Sequence, residues 1–281
     1  MDIRQIDRSL IVDTVRGLCI DACRLLPEDV YSALLSARSR EQSGVARDIL
    51  DELAENARIA REDSVPVCQD TGLALVFLET GNRCFFDFDL CEAVNEGVRR
   101  GYEEGFLRKS CVRHPLDRVN TGDNTPAVIH VRPVLGDKVR ITVAPKGGGS
   151  ENMSRARVFP PAAGREGVIN YITDSVREAG ANPCPPVILG IGLGGTLEVA
   201  ARLSKEALLR DIGSVNPVAP DRELEEELLR RVNELDIGPA GYGGRTTALA
   251  VFVKSHPCHI ASLPVAITFQ CHAARHREAV I

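Results

Sequence analysis

The stretch Val65–Gly72, VPVCQDTG, sets a thiol, an amide and a carboxylate directly behind an apolar lead-in and before a Thr-Gly turn. Cys68 is a soft metal ligand, Gln69 a paired donor and acceptor, and Asp70 a proton carrier. Three adjacent residues therefore offer metal binding, hydrogen bonding and acid–base chemistry. Read for structure alone, the same run is a strand end followed by an exposed Asp-Thr-Gly turn. Two further cysteines share its setting: Cys184 lies between prolines in NPCPP, and Cys271 closes the apolar run ending in TFQC. Flanking prolines fix the local backbone and remove a competing amide donor. Residues 256–276, HPCHIASLPVAITFQCHAARH, gather four of the six histidines and two cysteines. KGGGS, residues 146–150, spends three consecutive glycines, whose conformational cost is repaid where backbone must approach a ligand or where amides form an anion nest. A mobile hairpin exit accounts for it equally. NTGDNTPAVIH, residues 120–130, is dense in turn formers and reads as the shaping of a strand start.

The whole chain limits what these residues can be for. Its 281 residues allow a substantial core, and its composition is that of an ordinary globular protein. A net charge of −5 excludes the basic excess of a general nucleic-acid binder. No apolar run approaches the roughly 20 residues a bilayer span needs. The N-terminus MDIRQIDRSLIVD has no signal-peptide core, so a cytoplasmic, membrane-free protein is expected. Nine cysteines, odd in number and without a CxxC pair, argue against a disulfide framework, a zinc ribbon or a thioredoxin-like site. A metal site would have to be assembled from cysteines far apart in the chain. Most of the nine are expected to be small buried hydrophobes.

The elements that must position these residues are α/β (α+β) in pattern. A helical N-terminal segment of about 1–62 is expected to pack on a mixed β-sheet body of about 63–281, the whole forming one domain. Leu10, Ile11, Val15, Leu18, Ala22 and Leu25 recur at helical spacing, Pro27 opens a second segment and Ser43-Gly44 a third. TGLALVFLETG reads as a strand, and EAVNEGVRRGYEEGF as a helix in spite of three glycines. AVIHVRPV and VRITVAP flank Gly136-Asp137 and predict a hairpin. GREGVINYITDSVREAG predicts a helix ended by Gly180. After it come a short strand, a glycine-rich turn, a helix capped by Thr196, and a charged surface helix over RELEEELLRRVNELDIGP. TALAVFVK and HIASLPVAI read as strands, the second carrying His259 and Cys271 to its two ends, and FQCHAARHREAVI reads as a tail. GIGLGG, residues 190–195, lies where a phosphate-binding turn would. It lacks the acidic residue about 20 positions on and the GK[ST] of a P-loop, so close packing or an anion-facing turn is preferred to a nucleotide site.

Six blocks occur in order: VCQDTG, RVNTGDNTPAVIH, APKGGGSEN, NPCPPVILGIGLGG, GPAGYGGRTTALAV and HIASLPVAITFQCHAARH. Together they resemble the α subunit, or N-terminal catalytic domain, of class I iron–sulfur fumarate hydratases and the related L-tartrate dehydratases, over nearly the whole chain. The blocks match the family's N-terminal half, so its C-terminal half is expected to come from a separate β subunit. The resemblance implies that Cys68, Cys184 and Cys271 hold a [4Fe-4S] cluster with one open iron, the other six cysteines being packing. Three protein ligands rather than four leave a coordination position for substrate, as in a catalytic zinc site. The implied activity is the reversible hydration of fumarate to L-malate, a step of the tricarboxylic acid cycle.

The same resemblance distributes the roles. Gln69 and Asp70 match substrate-contact positions, with Asp70 carrying the proton to or from the leaving hydroxyl. Arg108, in GFLRKS, matches an arginine that clamps a substrate carboxylate, a task suited to its fork of donors. Without the resemblance it reads as a solvated helix-end arginine. Gly149 would bring its amide to the small dicarboxylate substrate, and His259 would orient the substrate or Asp70. The base acting at C3 would come from a separate β subunit, in a homodimer or an α2β2 assembly. An L-tartrate dehydratase α subunit is the alternative within the class. Outside it stand an iron–sulfur regulatory or electron-transfer protein and, using GIGLGG, a nucleotide-binding oxidoreductase.

Overall fold

The computed structural model describes residues 3–281. In chain order the elements are β1 (Arg4–Gln5), α1 (Arg8–Arg24), α2 (Glu28–Arg40), α3 (Gly44–Glu62), β2 (Leu73–Gly81), β3 (Cys84–Phe85), α4 (Leu90–Glu104), β4 (Val128–Val134), β5 (Val139–Lys146), α5 (Gly148–Glu151), β6 (Arg155–Phe159), α6 (Gly164–Ala179), β7 (Val187–Gly194), α7 (Leu197–Ala207), α8 (Ala219–Asn233), β8 (Ala248–His256), β9 (Leu263–Gln270) and β10 (Arg277–Val280). The fold is mixed α/β. No helix is long and apolar enough to cross a membrane among the described residues. The chain divides into two compact units: Met1–Leu26, Ile59–Gly148 and Arg275–Ile281 form the first, and Pro27–Arg58 with Gly149–Ala274 the second. The N-terminal helices are therefore shared out, α1 to the first unit, α2 and most of α3 to the second.

In the first unit a four-stranded sheet runs β10-β5-β2-β4. Its core face presents Ala74, Val76 and Leu78 of β2 and Val139, Ile141 and Val143 of β5 to α1 and α4. The glycines inside α4 have a packing purpose. A Cβ on Gly97 would stand 2.7 Å from the Val15 Cβ, and one on Gly101 2.8 Å from the Cys19 Cβ. The two helices thus meet closer than side chains would allow, and the usual cost of helical glycine is offset by burial.

The hairpin expected between β4 and β5 does not form. β2 lies between them, parallel to β4 and antiparallel to β5. The reason is burial. β2 is buried on both faces, Leu75 as well as Ala74, Val76 and Leu78 being nearly inaccessible, which suits a central strand, whereas β4 carries His130, Arg132 and Pro133 and suits an edge, where a proline loses no ladder bond. The C-terminal tail is also corrected. Residues Arg277–Val280 are strand β10, antiparallel to β5 with Arg277 opposite Val143.

In the second unit the sheet runs β6-β9-β7-β8, with β7 parallel to β8 and antiparallel to β9. β7 extends through GIGLG, so those glycines belong to a buried strand rather than a turn. A Cβ on Gly190 would lie 2.0 Å from the Ser204 carbonyl oxygen, and one on Gly192 1.9 Å from that of Ala200. α7 rests directly on the strand backbone, which accounts for both glycines without a nucleotide. Thr196 precedes α7 but makes no capping bond; its hydroxyl donates to the Glu198 carboxylate at 2.5 Å. The charged face of α8 is only half the helix, since Leu224, Leu228 and Val232 are core. β9 starts at Leu263, leaving His259 in the preceding turn rather than at a strand end.

Candidate active site

The VCQDTG run follows α3 and is neither helix nor strand, so its backbone groups need partners from elsewhere. The first unit supplies them one by one. The Val67 N–H donates to the Cys23 carbonyl at 2.9 Å. Arg275 Nη2 donates to the Asp70 carbonyl at 2.6 Å, and the Tyr102 hydroxyl to the carbonyls of Thr71 and Gly72 at 2.8 and 3.0 Å. Gly72, at φ +72°, turns the chain into β2 so tightly that a Cβ there would meet the Lys146 backbone at 2.6 Å. The side chains of Cys68, Gln69 and Asp70 are thereby held outward on an over-determined loop.

Cys68 is half-buried, and its Sγ accepts the Asp70 N–H at 3.4 Å and faces Gln69 Oε1 at 3.4 Å. The Asp70 carboxylate accepts the Gly72 N–H on Oδ1 at 3.0 Å and the Gly148 N–H on Oδ2 at 2.8 Å. KGGGS is thus not a mobile exit. Its lysine ends β5, Gly148 opens the short helix α5, and a Cβ on Gly147 would press on Asp70 Oδ2 at 3.2 Å. Arg108 keeps an exposed side chain while its carbonyl accepts the Thr71 hydroxyl at 2.8 Å. In the first unit, then, the fold brings Cys68, Gln69, Asp70 and Arg108 onto one framework.

Beneath that loop lie groups the residue patterns did not mark. Arg275 is 4 % exposed although it sits in the HAARH stretch noted only for its histidines. Burial pushes the Cys23 thiol up to about 11, with the neighbouring Arg275 guanidinium opposing the shift. Burial likewise lifts Cys19 and places the Tyr102 hydroxyl well above its ordinary value. These are inert, neutral thiols and a phenol, in keeping with packing roles. No local signal distinguishes such an arginine, because its burial is a property of the assembled helices.

In the second unit, Cys184 is exposed and adopts φ +56°, a strained conformation for a residue with a Cβ. The strain is held by the His272 N–H donating to the Cys184 carbonyl at 3.3 Å, and the His272 ring Nδ1 lies 3.1 Å from the same oxygen. That contact brings the half-buried Cys271 to the Cys184 turn. Gly149 is exposed, and a Cβ there would lie 3.6 Å from the carbonyl of Asn182, two residues before Cys184. His259 stands elsewhere in the unit, in a turn where its Nδ1 accepts the Ala261 N–H at 3.1 Å. A neutral ring with Nδ1 accepting carries its proton on Nε2 and is a donor there. His259 lines a cavity of about 500 Å³ with Gly195, Leu197, Cys258 and Ser262.

The donor set suits a soft metal cluster. All nine cysteines are free thiols, Cys68, Cys184 and Cys271 are each at least partly accessible, and an amide N–H already points at the Cys68 sulfur. No group of three or more His, Cys, Asp or Glu side chains is gathered as for a metal ion among the described residues.

The family described as Fumarate hydratase (Fumerase) matches residues 12–280. A protein of Methanocaldococcus jannaschii, provisionally named L(+)-tartrate dehydratase subunit alpha, is 43% identical over 272 residues, covering 94% of this chain and 95% of its own. The L(+)-tartrate dehydratase subunit alpha of Escherichia coli O157:H7 is 33% identical over 258 residues, covering 89% of this chain and 84% of its own. That of Shigella boydii serotype 4 is 33% identical over 254 residues, with the same coverage.

Proposed function

This chain belongs to the fumarate hydratase (fumerase) family, and from that premise we propose that it is the α subunit of a hydro-lyase that reversibly hydrates fumarate to L-malate with a separate β subunit. The observation that supports the reading best is the Asp70 carboxylate, clamped between the Gly72 and Gly148 amides beside Cys68. A proton carrier fixed this firmly, adjacent to a metal-ligating thiol, is built for acid–base work on a bound hydroxyl.

Cys68, Cys184 and Cys271 would hold the [4Fe-4S] cluster, which when bound supplies an open iron as Lewis acid toward the substrate's hydroxyl and carboxylate. The chain's own residues do the rest. Arg108 presents a planar fork of donors from a pinned backbone and binds one carboxylate of the small diacid. Gln69 and the Gly149 amide supply further donors to the negative charge. In the hydration direction Asp70 takes a proton from the entering water, and in dehydration it returns that proton to the leaving hydroxyl. Its two amide partners keep the carboxylate oriented through both. His259, with its proton on Nε2, orients substrate by donation. The base that exchanges the C3 proton comes from the β subunit, in a homodimer or an α2β2 assembly in the cytoplasm.

A second reading, an L(+)-tartrate dehydratase α subunit, is favoured by the names of the relatives at 43% and 33% identity. It uses the same residues and differs in admitting a second hydroxyl. Anaerobic co-purification with the β subunit, followed by assays on fumarate, L-malate and L-tartrate, decides between them. Turnover of fumarate at least about tenfold better than tartrate in kcat/KM supports the first reading and the reverse supports the second. Full activity from this chain alone would overturn the half-site.

A further inference from the structure

We propose that Asn124 is a positioning residue of this site: one side-chain amide that fixes the segments of Asp70 and Arg108 in a common frame. The inference deepens the proposed function and rests on the roles given there to those two residues. Asn124 is completely buried, at 0 % exposure, yet both ends of its amide are used. Its Oδ1 accepts the N–H groups of Ser110 and Cys111 at 2.7 and 3.1 Å, and its Nδ2 donates to the Gly72 carbonyl at 3.2 Å. Ser110 and Cys111 follow Arg108 by two and three residues, and Gly72 follows Asp70 by two. The segment bearing the carboxylate clamp and the segment bearing the proton carrier therefore share one rigid group.

Neighbouring bonds make the tie directional. The Thr71 hydroxyl donates to the Arg108 carbonyl at 2.8 Å, a second bridge between the same segments. The Tyr102 hydroxyl, from α4, holds the Gly72 carbonyl from the other side at 3.0 Å. Asn124 itself sits at φ +63°, a region that asparagine tolerates better than other residues with a Cβ. It is kept there by Asp123, whose Oδ1 accepts both the N–H and the hydroxyl of Thr125 at 3.0 and 2.8 Å. Only a primary amide on a short stem serves two donors and one acceptor at this depth. Aspartate offers no donor to Gly72, and a hydrocarbon leaves the Ser110 and Cys111 N–H groups without partners and the Gly72 carbonyl with Tyr102 alone.

The test uses the reconstituted α–β enzyme and two variants. Asn124→Gly keeps the left-handed backbone and removes all three bonds. Asn124→Asp keeps the two bonds to Ser110 and Cys111 and removes the one to Gly72. Asn124→Gly is expected to raise KM for the diacid and lower kcat, each by about tenfold or more, and Asn124→Asp to lower kcat by about tenfold with KM changed less than about threefold. In an Arg108→Ala background, Asn124→Gly is expected to add less than about threefold to KM, because both changes remove the same positioned guanidinium. A merely structural asparagine would give equal losses in both variants and a KM penalty that multiplies in the double variant, and either result overturns the proposal. Hydrogen–deuterium exchange of the α subunit reads the same tie without turnover. Amides of residues 108–111 and 70–72 are expected to exchange about tenfold faster in Asn124→Gly, while the β2 and β5 ladder is unchanged. Unchanged exchange in those segments overturns the positioning role even where the enzyme is active. An unmodified pair that turns over no diacid would instead defeat the proposed reaction and leave the exchange result to decide on Asn124. Should Asn124→Gly fail to fold, Asn124→Asp is read alone: its kcat loss with KM nearly unchanged, and faster exchange at residues 70–72 but not at 108–111, are expected, and unchanged exchange at residues 70–72 overturns the proposal.

Discussion

Gly148 donates its backbone N–H to Asp70 Oδ2 at 2.8 Å, so a glycine-rich loop and a carboxylate separated by 78 positions form a single structural unit. The third glycine group of that contact is Gly147, whose missing Cβ leaves the carboxylate its place. Gly147→Ala would set a methyl 3.2 Å from Asp70 Oδ2, so the carboxylate must shift by a few tenths of an ångström against its two amides. The expected result is a fall in kcat of about tenfold or more, with a melting temperature within about 2 °C of the unmodified chain, since the residue does not occupy the left-handed region. Steady-state kinetics with the β subunit and a thermal melt check it together.

Gly72→Ala is expected to behave differently. Here the added Cβ meets the Lys146 backbone at 2.6 Å, and φ is +72°. Both strain and collision act, so a loss of about 3 kcal/mol or more in unfolding free energy is expected by chemical denaturation. Gly192→Ala, with its Cβ 1.9 Å from the Ala200 carbonyl oxygen, belongs to the same class and tests the contact of α7 on β7.

Iron binding separates the three predicted ligands from the other cysteines. After anaerobic reconstitution, Cys68→Ser, Cys184→Ser and Cys271→Ser are each expected to abolish the brown chromophore and bound iron, whereas Cys91→Ser, an exposed thiol outside the motifs, is expected to retain both. Retention of full iron by any of the first three would remove that residue from the ligand set.

Asp123 links the NTGDNTP turn to pH. Burial raises its pKa, but the Thr125 amide and hydroxyl, with Arg99 and Thr121, outweigh that and hold the carboxyl at about 2. The folded value lies below the ordinary aspartate value, so the contribution is fully present above about pH 4 and disappears as pH falls toward 2. Its size is roughly 1–2 kcal/mol after allowance for partial exposure. Asp123→Asn is expected to flatten the stability–pH curve of the α subunit between pH 4 and 2, measured by urea unfolding; an unchanged slope would show that the turn's bonds are not charge-assisted.

The sequence by itself determined the local and the chemical. Helical periodicity marked α1, α4 and α6, alternation marked β4 and β5, an apolar run bounded by glycines marked β2, and the order of six motifs identified the family. These are properties of neighbouring residues, set by spacing and by what each side chain can donate or accept. Pairing was decided elsewhere. The β4–β5 hairpin gave way to insertion of β2, the tail became β10, and the GIGLG glycines turned from a loop into a strand that α7 lies upon. In each case burial outweighed the short connection. The supports of the site, Arg275, Tyr102 and Asn124, were equally illegible. Their atoms satisfy backbone groups on segments remote in the chain, and a buried polar partner is defined only when both segments are in place. Chemistry was written in residue types, whereas the position of that chemistry depended on desolvated hydrogen bonds that only tertiary packing creates.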